Sequence, residues 1–261
     1  RMYPGKWYAL PQSPQIFKQI LMMSGCDRYL QIVRCFRDED PRADRQAEFS
    51  QIDLEMSFVD RDDVIDMMSG FVRRLWKETL DYTVGDIPRI TYHEAMERYG
   101  IDRPDTRFGL EIHDVSDLAA RMDFKVFADA LAKPRGVVKA FRVPGGADAL
   151  TRKQTDAYTE FVREFRAGGA PTVKLTANGY ETGIAKFVEP IADDLRDRLG
   201  LEAGDLVFFT CDTWPIATKA IGELRLGVAR DLDLIDRDAW NFLWVVDFPM
   251  FEWDDEDERW E

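Results

Sequence analysis

The segment Phe49–Phe58, FSQIDLEMSF, alternates polar and apolar side chains, and that period of two constrains the fold more than any other feature of the chain. It sets Gln51, Asp53 and Glu55 on one face of a strand and Ile52, Leu54, Met56 and Phe58 on the other. Tyr29–Phe36, rich in apolar and β-forming residues, precedes it across a polar loop, which predicts an antiparallel hairpin. The apolar face is expected to be core and the polar face wet. Two carboxylates and an amide in a row on a central strand are costly unless they meet cations or ligand donors. The polar face is therefore a candidate pocket floor, with a plainly solvated strand face as the equal alternative.

Helix signals flank the hairpin. Ser13-Pro14 ahead of Ile16, Phe17, Ile20, Leu21 and Met23, with Gly25 beyond, predicts a capped amphipathic helix with proline at its first position. Val64, Met67, Met68, Phe71 and Leu75 mark a second helix, and Thr91-x-x-Glu94 is a capping box opening a third. From about Phe108 to Leu234 the elements shorten, punctuated by Pro144-Gly145-Gly146, Gly168-Gly169 and Asn178-Gly179, as expected of a separate inserted domain. Within it Thr151-x-x-Gln154 caps a stripe of Tyr158, Phe161, Val162 and Phe165, and Pro190 starts a helix that stops at Gly200. Strands are expected at 136–143, 173–177 and 206–210. The run Trp240–Phe251 is nearly all apolar, which predicts a strand covered on both faces. The fold class is thus α+β. An antiparallel sheet flanked by helices (1–107) is interrupted by an α/β insertion (108–234) and resumed by a return strand (235–261).

Composition narrows the functional classes. With 261 residues and 45% hydrophobic content the chain can fill a core. No apolar run reaches the roughly 18 to 20 residues of a membrane span, and the first residues lack a signal peptide's apolar stretch, so a cytoplasmic, membrane-free protein is expected. A net charge of −14 argues against a broad nucleic-acid surface, leaving RNA only a local basic patch. Six of those net charges fall in Glu252–Glu261, expected to be a solvated acidic hairpin or loop. Cys26, Cys35 and Cys211 form no CxxC and are expected to be buried thiols. His93 and His113 are too isolated for a metal cluster or triad.

The first hairpin strand ends in Arg37-Asp38-Glu39, and the loop adds Arg42, Asp44 and Arg45. Arginine's planar fork suits phosphate, although salt bridges along a long turn are the bland reading. Gln15 and Lys18, at i and i+3 near a helix N-terminus, suit a carboxylate, but alone they read as ordinary solvent-facing residues. The whole string FRDEDPRADRQAEFSQID resembles the second signature of class II aminoacyl-tRNA synthetases, and its loop resembles that of bacterial aspartyl-tRNA synthetases. YALPQSPQIFKQ resembles the aspartate-selecting segment of the same family. PRGVVKAFRVPGGADALTRKQTDAY more loosely resembles the insertion domain these enzymes share with a subunit of the tRNA-dependent amidotransferase.

That resemblance implies an aspartate-tRNA ligase, homodimeric when intact, whose substrates are ATP, L-aspartate and tRNA(Asp), with tRNA(Asn) left open. It implies that Arg37 holds the α-phosphate and the amino acid's carboxylate, and stabilises charge as that carboxylate attacks phosphorus. Asp38, Glu39, Arg45, Gln46 and Phe49 complete the implied ATP contacts, Phe49 by stacking on adenine. Gln15, Lys18, Gln51 and Asp53 join Arg37 around aspartate, Lys18 on the β-carboxylate and Asp53 on the ammonium. Mg2+ is implied by the phosphates, with ligands outside this chain. The family's first signature, anticodon-binding barrel, paired histidines and final arginine motif are absent, so these residues are expected to hold half a pocket and to be inactive alone. Two rivals remain open: a paralogue activating aspartate for amide synthesis, and a non-enzymatic RNA-binding or amidotransferase-associated module.

Overall fold

The computed structural model describes residues 4–5, 12–37, 45–254 and 259–260, in two compact units, Arg1–Thr83 and Val84–Glu261. The first unit is built on the predicted hairpin. Strands β1 (Arg28–Phe36) and β2 (Glu48–Met56) pair antiparallel, with Val33 opposite Gln51 and Gln31 opposite Asp53. Before them lies α1 (Gln15–Met23) and after them α2 (Arg61–Leu80). Pro14 sits at the N-cap of α1 rather than inside it: its carbonyl accepts the Lys18 amide at 3.0 Å, and no side chain caps the helix. The capping box of α2 went unpredicted. Asp60 Oδ1 accepts from the amides of Asp62 and Asp63, and Asp63 Oδ2 accepts from the Asp60 amide.

The two hairpin faces reverse the expectation. Asp53 is buried and Gln51 and Glu55 are half-buried, while Ile32 and Ile52 on the opposite face are 76% and 52% exposed. Helix α1 is the cause, because it carries Lys18 onto the polar face and turns Ile16, Phe17, Ile20 and Met23 outward. The polar face is thus the covered one, and its carboxylates meet a cation, as a costly buried row requires. Cys26 is also exposed, against expectation, whereas Cys35 and Cys211 are buried as predicted.

The second unit is a sheet covered on both faces. Its strands β4 (His113–Asp114), β5 (Gly136–Val143), β6 (Thr172–Thr176), β7 (Gly179–Glu181) and β8 (Leu206–Thr213) are ordered β4-β5-β8-β6-β7, every pair antiparallel. Alternation along β5 and β8 feeds two cores. Val138, Ala140, Val207 and Phe209 pack with α4 (Ser116–Ala119), α5 (Lys125–Leu131), α8 (Ala185–Val188) and α9 (Ala192–Leu199). Phe141, Val143, Leu206 and Phe208 pack on the other face with α7 (Arg152–Arg163) and α10 (Trp214–Asp231). The short α6 (Gly146–Ala149) follows β5. Thr151 and Gln154 form the predicted reciprocal cap, and Gly200 closes α9 in the left-handed conformation at φ 60°.

Strand β3 (Arg89–Thr91) leads into α3 (Tyr92–Tyr99), whose predicted box is half realised: Thr91 Oγ1 accepts the Glu94 amide at 3.1 Å. β3 pairs in parallel with β9 (Trp244–Val246), the only strand in the apolar run read as one long covered strand. Phe248, Met250 and Phe251 beyond it are exposed, so the run does not form the strand its composition suggested. The acidic tail begins as a hairpin, β10 (Trp253–Asp254) against β11 (Arg259–Trp260), with the two tryptophan rings 5.6 Å apart; residues 255–258 lie outside the described residues.

Helices α3 and α10 cross where both lack side chains. A Cβ added at Gly222 would lie 2.6 Å from the Gly100 carbonyl oxygen, and one at Gly100 equally close to the Thr218 carbonyl oxygen. Alanine at position 222 should improve helix propensity by about 1 kcal/mol, yet this overlap outweighs the gain. Gly222→Ala is therefore expected to destabilise the protein by about 2 kcal/mol in denaturant unfolding. An unchanged or raised midpoint would show that the crossing can relax.

Candidate active site

Direct cross-strand pairs share a face, so the register aligns one continuous row: Arg37 opposite Ala47, Cys35 opposite Phe49, then Gln51, Asp53 and Glu55 with their partners. The Arg37 amide closes the row's end by donating to the Ala47 carbonyl at 2.9 Å. Phe49 and Asp53 are four residues apart, roughly 13 Å along the strand. The arginine and the carboxylates therefore occupy one surface, at opposite ends of it.

At the carboxylate end, Lys18 Nζ lies 3.0 Å from Asp53 Oδ1 and 3.2 Å from Glu55 Oε2. Lys18 is 8% exposed and Asp53 7%. Burial works to lower the lysine's pKa, but its hydrogen bonds and charge attraction to Asp53 and Glu55 prevail and hold it above the ordinary value. Asp53 Oδ2 is buried with no hydrogen-bond partner among the described residues. One ammonium thus serves two carboxylates, leaving surplus negative charge and one open acceptor. Toward the other end the Cys35 thiol donates to Gln51 Oε1 at 3.4 Å, and the Arg37 guanidinium carbon sits 5.1 Å from the Phe49 ring centroid.

Among the expected site residues, Lys18, Arg37, Phe49, Gln51 and Asp53 share this face, whereas Gln15, the first residue of α1, is exposed. Arg45 and Gln46, just ahead of β2, are exposed. Asp38, Glu39, Arg42 and Asp44 lie outside the described residues. Glu55 was assigned no role in advance. Its period-two spacing from Asp53 could have flagged it, but only the lysine's position gives that spacing meaning.

The chain as a whole matches an established class. The chain belongs to the family described as tRNA synthetases class II (D, K and N), whose model it matches over residues 1–259. It is 46% identical over 261 residues to the aspartate-tRNA ligase of Limosilactobacillus reuteri DSM 20016, covering 100% of this chain and 43% of that protein. To the aspartate-tRNA ligase of Staphylococcus saprophyticus it is 51% identical, over 99% of this chain and 44% of the relative. To the aspartate-tRNA(Asp/Asn) ligase of Nitratidesulfovibrio vulgaris it is 52% identical, over 99% and 42%. The chain thus spans less than half the length of the curated relatives it matches. No helix among the described residues is long and apolar enough to cross a membrane.

Proposed function

We propose that this chain is the hairpin-bearing part of an aspartate-tRNA ligase, in which aspartate attacks the α-phosphate of ATP and the aminoacyl group then passes to a tRNA. The observation that carries this is the buried Lys18–Asp53–Glu55 cluster on the same hairpin face as Arg37 and Phe49. A dicarboxylic amino acid needs an ammonium for its side chain and an anionic acceptor for its own ammonium, and Lys18 and the open Asp53 Oδ2 are of those kinds. A nucleotide needs a planar cation for phosphate and a ring for its base, the chemistry of Arg37 and Phe49. Catalysis is then positioning plus neutralisation of charge at phosphorus.

Asp38, Glu39, Arg45 and Gln46 complete the ATP contacts in this reading, and Gln15 and Gln51 those to aspartate. The intact protein is a cytoplasmic homodimer, and residues 108–234 are an insertion within its catalytic domain. Magnesium would accompany the triphosphate. The described residues contain no group of three carboxylate, histidine or cysteine ligands placed to hold it.

The test is aspartate-dependent ATP–pyrophosphate exchange by the full-length protein, followed by charging of tRNA(Asp) and tRNA(Asn) transcripts. Exchange with aspartate but not asparagine, together with charging of tRNA(Asp), is expected. Exchange without any charging would favour amide synthesis, and no exchange would favour a non-enzymatic module. The 261-residue chain alone is expected to give none.

A further inference from the structure

We propose that Glu55 is a positioning residue for Lys18: its carboxylate keeps the lysine ammonium aimed into the pocket while Asp53 is engaged by the substrate's ammonium group. The inference rests on the aspartate-activating reading above and adds a residue to it. Lys18 reaches the cluster on a flexible four-carbon stem, and two carboxylates fix it there, Asp53 at 3.0 Å and Glu55 at 3.2 Å. Only Asp53 is deeply buried with a vacant oxygen; the Glu55 side chain keeps 33% of its exposure. The deeper carboxylate is thus the one suited to a second cation. When that cation arrives, the hold of Asp53 on Lys18 is divided, and Glu55 is the partner that remains. Without it, lysine and substrate ammonium would compete for the same carboxylate.

Glu55 could instead act only by adding negative charge. The two roles predict opposite signs. Aspartate carries one net negative charge, so removing a repelling carboxylate would strengthen binding, whereas losing the hold on Lys18 would weaken it.

The experiment compares full-length wild type, Glu55→Gln and Glu55→Asp in aspartate-dependent pyrophosphate exchange, with KM for aspartate and for ATP determined separately and folding checked by thermal melting. Glu55→Gln is expected to raise KM for aspartate about 10-fold, the scale of one hydrogen bond to a charged group, with kcat and the KM for ATP within about 2-fold. Discrimination against asparagine should fall with it, a readout that loss of general stability would not move. Glu55→Asp, charged but one carbon shorter, should fall between the two and keeps the test open if Glu55→Gln does not fold. A KM for aspartate that is unchanged or lowered in a folded variant would overturn the positioning role. Wild-type protein without aspartate-dependent exchange is a different failure, that of the activity reading itself.

Discussion

Arg37→Ala in the full-length protein is expected to cut kcat/KM for aspartate-dependent exchange on the order of 10²–10³-fold, the scale on which a lost charge-stabilising donor registers at a reacting centre. The residue leaves β1 at the end of the row that holds the carboxylate cluster, its backbone fixed to Ala47 and its guanidinium set over Phe49. The side chain is therefore held in place by strand pairing and ring contact before any substrate arrives, as preorganised stabilisation requires. Arg37→Lys should recover little, because an ammonium keeps the charge but loses the paired donors and the flat face that rests on the ring. The melting temperature should move little for either variant, since the residue closes a two-stranded hairpin rather than a core. Activity within about 5-fold of wild type after Arg37→Ala would remove arginine from the chemistry and undo the proposed reading.

The hairpin was legible because a period of two sorts a strand's side chains onto two faces, and caps such as Thr151 with Gln154 act through neighbours three residues apart. What failed was the direction of burial. Polar rows default to solvent and apolar rows to core, and the exception arises from Lys18, the one charged residue of α1. Nothing local to α1 says that lysine will find two carboxylates 35 and 37 residues away. The string resemblance put Lys18 and Asp53 around one aspartate, but it gave Glu55 no role and did not pair the lysine with either carboxylate. Trp240–Phe251 misled for a related reason: composition reports that a segment must be covered, not that it must be a strand throughout. Gly100 and Gly222 carried no reading in the sequence, and only their meeting explains them.

Arg225 was passed over in the same way, and its replacement by alanine is expected to cost about 4 kcal/mol in denaturant unfolding, from lost charged hydrogen bonds and an unfilled core site. The side chain is 0% exposed within α10. Nε donates to the Leu110 carbonyl at 2.9 Å, and Nη2 donates to the carbonyls of Asp105 and Gly109 at 2.9 and 2.5 Å. Its guanidinium carbon lies 4.1 Å from the Phe108 ring centroid and 5.0 Å from that of Tyr99. Burial pushes the guanidinium down to about 10, still charged at neutral pH, against the opposing attraction of Tyr99, Asp105 and Glu111. Segment 105–110 presents those three carbonyls to the guanidinium, and alanine would leave them without that donor. Arg225→Met separates the contributions, because it fills much of the volume and removes the desolvation cost while still orphaning the carbonyls. If the hydrogen bonds dominate, Met should be nearly as damaging as Ala, and amide exchange should rise first across 105–112. If Met restores wild-type stability, volume was the larger effect and the clasp is dispensable. A loss below about 1 kcal/mol for Arg225→Ala would mean the segment repacks around water and that the buried cation does not organise it.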